Sequence, residues 1–430
     1  FRHMVTTTTA GLVAFVAVAW ASRVDARTSF PQIVGRSRLD ATDSISVGRH
    51  HQKRLSRNLF NTKHLGLRRR CARGGTTPAH SQVQAGEKGS SHTIDELKQC
   101  IAREYASMFA PLERPFYNPE VEFNDPLNSF KGLDKYQDNI DMLAGRTPFG
   151  SFVFEDAVLQ LHDITQPTDR SLRSRWTLAM TFKLLPWKPR AIFTGISDYT
   201  LDDNLKVVKQ QDYWDSINLE GGRYSKKPIG DGLKDFVDQL FKKERKYATA
   251  EVPYILLRRA ASYEVRAYPG YEGVEVPYQR RADAWDALGR YAAGENEARQ
   301  QFRPYVPSIM NIQPTDDGRW EKTMHWAMKL VPRGAKKPEG GSIPETQDER
   351  WKVIKRLPTV YAVKTTSEPL TDDTVTQMHD QLLNELQKDN LKPEFEEGKT
   401  FVQFDELYSL SERRNEIWVP LDPDGYPWPY

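Results

Sequence analysis

The chain has 430 residues, room for two or three domains, and carries 61 Lys+Arg against 58 Asp+Glu. The balance is uneven: residues 1–92 hold 15 basic and 4 acidic side chains, which leaves 61 − 15 = 46 against 58 − 4 = 54 in residues 93–430. An acidic remainder lacks the basic stripe a nucleic-acid partner requires, and with only Cys71 and Cys100 there is no Cys-rich metal site.

At the start, Arg2 and His3 precede an apolar run from Ala10 to Ala21. The run is short for a bilayer span and fits the h-region of a signal peptide over residues 1–26, with a buried core helix as the alternative. Ala19-Trp20-Ala21 and Val24-Asp25-Ala26 offer cleavage contexts. Residues 27–92 are rich in Arg and Ser and hold few acids, the composition of a disordered plastid transit peptide. A signal peptide followed by a transit peptide implies a plastid (chloroplast) enclosed by extra membranes. Arg68-Arg69-Arg70 reads as a solvated run within it.

From residue 93 the pattern becomes globular. Thr93-Ile94-Asp95-Glu96 reads as a capping box opening a helix, with Leu97, Ile101, Tyr105 and Met108 at helical spacing. Cys100 falls in this helix as a buried, inert thiol. A strand through Val121-Glu122-Phe123 stops at the turn Asn124-Asp125-Pro126, and a second helix spans Leu133–Leu143. Strands are predicted over Phe152–Ile164, Arg173–Leu184, Arg190–Leu201 and Lys206–Trp214, giving an α+β domain over 93–222. Leu233 to Tyr247 reads as an amphipathic linker helix within 223–250.

The remainder, 251–421 before a tail at 422–430, contains a diffuse repeat. Tyr263-Glu264-Val265 with Pro269 returns as Trp351-Lys352-Val353 with Pro358. Each is followed by a second alternating stretch (Val274–Val276 and Val360–Lys364), a helix (282–293 and 371–389) and further strands near Thr323–Leu330 and Phe401–Leu407. Gly334 to Gln347 is a loop between the two units.

Two stretches are similar to known families. Phe123-Asn124-Asp125-Pro126, Phe130-Lys131-Gly132, Asp198-Tyr199-Thr200-Leu201-Asp202 and Asp212-Tyr213-Trp214-Asp215 together resemble an uncharacterised plastid domain family. The resemblance implies the cone fold of the SnoaL and ketosteroid isomerase group: a curved sheet around helices, with an apolar pocket open at one end. Further on, Tyr263-Glu264-Val265-Arg266, Val274-Glu275-Val276, Tyr291-Ala292-Ala293-Gly294-Glu295-Asn296 and Arg413-Arg414-Asn415-Glu416-Ile417-Trp418 resemble the SOUL family of haem-binding proteins. That resemblance implies a distorted β-barrel of two βαββ repeats and a shallow apolar groove for haem or another tetrapyrrole. Where such relatives carry a Met-Thr-Ala-Pro-Val-like segment this chain has Tyr305-Val306-Pro307-Ser308-Ile309-Met310, and their aromatic-Ala-Met-Pro segment appears as Trp326-Ala327-Met328-Lys329.

A tetrapyrrole needs a flat apolar wall and cations for its carboxylates. The helix at 282–293 offers Trp285 and Leu288 as wall, with Arg281 before it and Arg290, at a position where SOUL relatives carry a basic residue, as carboxylate partner. The alternative is that Trp285 and Leu288 are core and Arg290 is solvated. Axial ligands come from a short roster, because beyond the leader the histidines are His162, His325 and His379. His325 opposes Met324, Trp326 and Met328 in alternation and reads as a polar surface or edge residue; His379 flanks a helical apolar stripe. Strong iron ligation is therefore not expected, and no metal site of another kind is seen. In the first domain Asp125, His162 and Asp212 are candidates for an acid–base set, although Asp125-Pro126 also reads as an ordinary turn. The expectation is a plastid tetrapyrrole-binding protein acting in buffering or transport, with at most peripheral membrane contact. Its rival is an isomerase-, cyclase- or hydrolase-like enzyme using the cone pocket on a hydrophobic metabolite.

Overall fold

A computed structural model describes residues 92–242, 247, 250–315, 317–330, 343–395, 397–405 and 413–426. The expected signal and transit segments, Cys71 and most of the loop at Gly334–Gln347 lie outside the described residues.

Helix α1 (Ile94–Ser107) starts as its sequence dictates. Thr93 Oγ1 accepts the Glu96 amide at 3.2 Å, and the Thr93 amide donates to the Glu96 carboxylate at 2.8 Å, both halves of a capping box. Leu97, Cys100, Ile101 and Tyr105 lie buried on its inner face. Strands β1 (Tyr117–Asn124) and β2 (Ser129–Lys131) form a hairpin around the predicted turn, and α2 (Leu133–Leu143) follows. A six-residue helix, α3 (Pro148–Val153), is too short to show a period in the sequence. Then come β3 (Phe154–Thr168), β4 (Ser171–Phe182), β5 (Arg190–Leu201) and β6 (Val207–Trp214). The six strands run in the order β2-β1-β6-β5-β4-β3; β1 and β6 are parallel and the other neighbours antiparallel. The sheet curves around α1 and α2 as a cone. Helix α4 (Asp215–Asn218) and the small hairpin of β7 (Leu219–Glu220) and β8 (Arg223–Tyr224) follow, with Asp215 and Tyr224 reaching Arg175 of β4. The helix predicted over Leu233–Tyr247 is α5 (Ile229–Phe241); Phe236 and Leu240 belong to the cone core.

The second part contains β9 (Ile255–Arg259), β10 (Glu264–Tyr268), β11 (Tyr271–Pro277), α6 (Arg281–Ala293), β12 (Phe302–Pro304), β13 (Ser308–Pro314) and β14 (Trp320–Leu330). It continues with β15 (Lys352–Arg356), β16 (Thr359–Thr366), α7 (Asp372–Lys388), β17 (Lys399–Gln403) and β18 (Asn415–Pro420). The sheet runs β15-β11-β14-β13-β17-β18-β16-β10-β9, with β12 beside β14. It curls into a half-barrel in which, among the described strands, the two edges β15 and β9 are not paired with each other. The repeat is visible in this order: each unit lends its first strand to the other, so β10 pairs with β16 and β15 with β11. Helices α6 and α7 cover one face, burying Leu288, Tyr291, Leu382 and Leu386 against Val274, Met324 and Ile417.

The described residues form one compact unit. Strand β9 lies against β4 and β5 on the outer face of the cone. Here the Arg259 amide donates to Thr194 Oγ1 at 2.7 Å, its guanidinium grips both Asp235 oxygens at 2.6 and 3.0 Å, and Thr177 Oγ1 donates to the Leu256 carbonyl at 2.7 Å. None of the described helices is long and apolar enough to cross a membrane.

Candidate functional site

The cone encloses an apolar cavity of about 100 Å³. Strand alternation aims Trp176, Leu178 and Met180 of β4 and Gln210, Asp212 and Trp214 of β6 into it; α1 adds Tyr105, the turn after it Phe109, and α2 Tyr136 and Ile140. The parallel pairing of β1 with β6 sets Asn124 against Gln211, so that Asp125 and Asp212, far apart in sequence, line the same cavity. Burial pushes the Asp212 carboxyl up to about 7, and Asp125 adds to the rise. Hydrogen bonds from Ser197 and Gln210, the latter from Nε2 at 2.8 Å, oppose it. Burial likewise pushes Asp125 up to about 6, against the amides of Leu127 and Asn128, which donate to Oδ1 at 2.6 and 2.5 Å. Asp125 is thus both the turn starter its sequence suggested and a wall of the pocket. The Tyr136 hydroxyl donates to Gln210 Oε1 at 2.7 Å, and Tyr105 shares hydrogen bonds with Ser174 and Tyr199 at 3.0 and 2.9 Å. Gln210 and the two tyrosines are not among the candidates named from the sequence, yet a polar residue in phase with Asp212 and Trp214 is the signal that β6 carries a polar floor.

His162 does not join this pair. It sits on the outer face of the sheet, where β9 covers it, with Nε2 at 2.8 Å from Thr177 Oγ1. Because that hydroxyl donates to Leu256, Nε2 is the donor, which fixes the neutral tautomer. Burial, with Arg175 nearby, pulls its pKa down to about 4.

The residues expected to hold a tetrapyrrole share helix α6 but not one face of it. Arg281 and Arg290 are separated by nine residues, about two and a half turns, and so project from opposite sides. Leu288 is wholly buried in the core. Trp285 is half-buried, edge-on to Trp326 at 5.4 Å, and its indole Nε1 has no partner. Arg290 reaches Asp286 and Glu295, each at 3.3 Å, and stacks over Trp351 at 5.2 Å. Arg281, one turn from Trp285 on the same side, donates to the Leu370 carbonyl at 2.7 Å. It lines a polar cavity of about 270 Å³ with Thr371, Gln403, Arg413 and Asn415; the Asn415 side-chain oxygen there is buried without a partner.

Both distal histidines are buried. His325 is not at an edge: β14 is a central strand, and the sheet face away from the helices is itself covered, so only 2 % of His325 is exposed. Its Nε2 lies 2.8 Å from the Tyr271 hydroxyl. Burial, then Arg356, hold it well below the usual histidine range and therefore neutral. His379 is buried on α7, with Nδ1 3.6 Å from Asp380, and burial lowers its pKa. Among the described residues no group of three or more His, Cys, Asp or Glu side chains is placed to hold a metal ion.

The stretches that carry the C-terminal resemblance are largely scaffold. Gly294, at φ 117°, ends α6 in the left-handed conformation that glycine favours. Asn296 is fully buried, donating to the Tyr291 and Gln300 carbonyls. Glu416 is fully buried and receives Arg266, Arg414 and the Trp418 indole at 2.8 to 3.1 Å. Burial alone would raise its carboxyl, but the two guanidiniums hold it below the usual range.

Residues 95–210 match the family described as "Uncharacterized conserved protein (DUF2358)", and residues 249–420 match the family described as "SOUL heme-binding protein". A comparison with curated proteins gives no match. Among solved structures, the chain is similar to SalBIII, an epoxide hydrolase/cyclase-like enzyme of pyran ring formation in salinomycin (13 % identity, 28 % of this chain and 91 % of that one, TM-score 0.23). It is also similar to an NTF2-like protein of unknown function from an Exiguobacterium species (14 %, 26 % and 96 %, TM-score 0.21). A third is an LEH-like epoxide hydrolase of M. tuberculosis (13 %, 34 % and 90 %, TM-score 0.23).

Proposed function

We propose that this chain, which joins a domain of that uncharacterised family to a SOUL-family domain, holds a tetrapyrrole in its C-terminal half and buffers or carries it in a plastid. The match of residues 249–420 to the SOUL family carries the reading. The basic, acid-poor composition of residues 27–92 supports the location. Free porphyrins are insoluble and photoreactive, which gives a carrier its purpose there.

The residues present fit the ligand's periphery better than its centre. A ring laid on the Arg281–Trp285 side of α6 would meet an indole lacking a hydrogen-bond partner and a cavity holding two arginines for a carboxylate. An axial ligand is harder to supply: His325 faces away from α6, on the other side of its strand. Binding through ring and carboxylate makes no distinction between haem and a metal-free porphyrin.

Titrating haemin and protoporphyrin into the full chain, followed by the Soret band and Trp quenching, tests this. Both are expected to saturate near one equivalent. Arg281→Glu should weaken both about tenfold, roughly the 1.4 kcal/mol of one charged contact, with a smaller loss for Arg290→Glu. Absence of saturable binding by either compound would remove the carrier reading.

A second reading, an enzyme acting on a hydrophobic metabolite, is favoured by one observation: Asp125 and Asp212 line a single apolar cavity with carboxyls raised toward neutrality. A tetrapyrrole is several times too large for that cavity, so the two readings concern different ligands.

A further inference from the structure

We infer that the cone pocket binds the head group of a small organic cation, an alkylated ammonium such as the trimethylammonium end of choline. This rests on, and deepens, the reading of the cone pocket as a ligand site; it is independent of the tetrapyrrole reading.

The composition of the cavity wall is the starting observation. Aromatic rings make up about half of it, among them Phe109, Phe123, Trp176, Phe193 and Trp214. Two carboxyls, Asp125 and Asp212, share the same wall, and its described lining includes no Lys, Arg or His. Each kind of ligand meets this surface differently. An anion would face two acids with no counter-charge. A neutral hydrocarbon would fit the rings but offer the two carboxyls no counter-charge, so that they stay protonated against it. An alkylated ammonium satisfies both parts, since its methyl groups pack on ring faces whose quadrupoles attract positive charge while the carboxylates balance that charge. The cavity volume, about 100 Å³, is two-thirds of the 150 Å³ of an engineered cavity that holds benzene, so it takes in a trimethylammonium head group and not a whole choline molecule.

The polar floor is built to present Asp212. Gln210 is fixed by the Tyr136 hydroxyl at 2.7 Å and in turn holds Asp212 at 2.8 Å. The groups around Asp212 are Tyr105 from α1, Tyr136 from α2, Asp125 at the end of β1, and Ser197 and Tyr199 from β5. Asp198 lies on the outer face, paired with Arg173 at 2.6 Å. None of the neighbours in the cavity is a cation. With Asp212 raised to about 7 and Asp125 to about 6, an arriving cation draws both toward ionisation and releases protons. Affinity therefore rises with pH through this window.

The test titrates the full chain with choline and with its neutral isostere, in which a quaternary carbon replaces the nitrogen. Trp176 and Trp214 report by fluorescence from within the wall. At about pH 8 choline should bind at least tenfold more tightly than the isostere, the equivalent of about 1.4 kcal/mol. That preference should vanish at about pH 5 and shrink several-fold in Asp212→Asn, which keeps the shape and leaves Asp125 as the one remaining carboxylate, while the isostere gains no affinity in either case. Equal binding of choline and isostere at pH 8 would overturn cation recognition yet leave an apolar ligand site standing. Binding of neither would overturn the ligand-site reading as well. The pH comparison on the native chain holds even if the variant fails to fold.

Discussion

Glu104 on α1 is 1 % exposed, and its carboxyl accepts the Tyr117 hydroxyl at 2.5 Å and the Glu113 amide at 2.7 Å. Burial outweighs these two bonds and pushes the group up from 4.5 to about 7. A folded-state value above the unfolded one means that the folded chain binds more protons in this interval. The stability Glu104 contributes is then fully present below about pH 4.5 and is lost as pH rises toward 7. Glu104→Gln resembles the protonated acid and should remove this dependence. Relative to the native chain it should gain about 3 kcal/mol between pH 5 and pH 8, at 1.36 kcal/mol per pKa unit. Thermal unfolding at the two pH values checks this; an identical difference between variant and native chain at both would show that Glu104 does not titrate there.

Among the strands, β10 and β18 flank β16 and are tied across it by a buried ion pair. Arg266, 3 % exposed, reaches Glu416, with no exposure, at 3.0 Å, and Arg414 links Glu416 onward to Glu251. Two charges taken from water at this depth are tolerable only together. Arg266→Met should cost about 3 kcal/mol, the lower end of the range for breaking a buried pair, because Arg414 still balances Glu416. Denaturant midpoints measure it, and added salt should barely change the loss, since a buried pair is poorly screened. A loss under about 0.5 kcal/mol would mean the pair contributes no more than an exposed one.

In the whole molecule, the junction between the cone and the half-barrel is polar and specific. Arg259 alone donates to Thr194, Ile192 and both oxygens of Asp235. Behind it Asp215, fully buried, balances Arg175 and accepts from Thr194 and Tyr224. Burial opposes ionisation of Asp215, but Arg175 and Arg258 keep it below the usual carboxylate range. The two halves should therefore unfold in one calorimetric transition. Arg259→Ala, which leaves Asp235 without its partner, should lower stability by about 3 kcal/mol and separate the transition into two. A single unshifted transition in the variant would show that this contact does not couple the halves.

Local rules were written in the chain itself. The capping box at Thr93, the limits of α2 at Leu133 and Leu143, those of β5 at Arg190 and Leu201, and the paired repeat units follow from caps, turns and periods that act over a few residues. Even the placement of Arg281 and Arg290 on opposite sides of α6 follows from helical geometry over their nine-residue separation. Other features required long-range pairing. Asp125 meets Asp212 only because β1 runs parallel to β6 in one register, and β10 and β15 change places only in the assembled sheet. Alternation showed that His162 and His325 turn away from their apolar neighbours. Only the tertiary structure showed that a second layer covers those faces, because what lies opposite a strand is set by distant segments that exclude water from both sides.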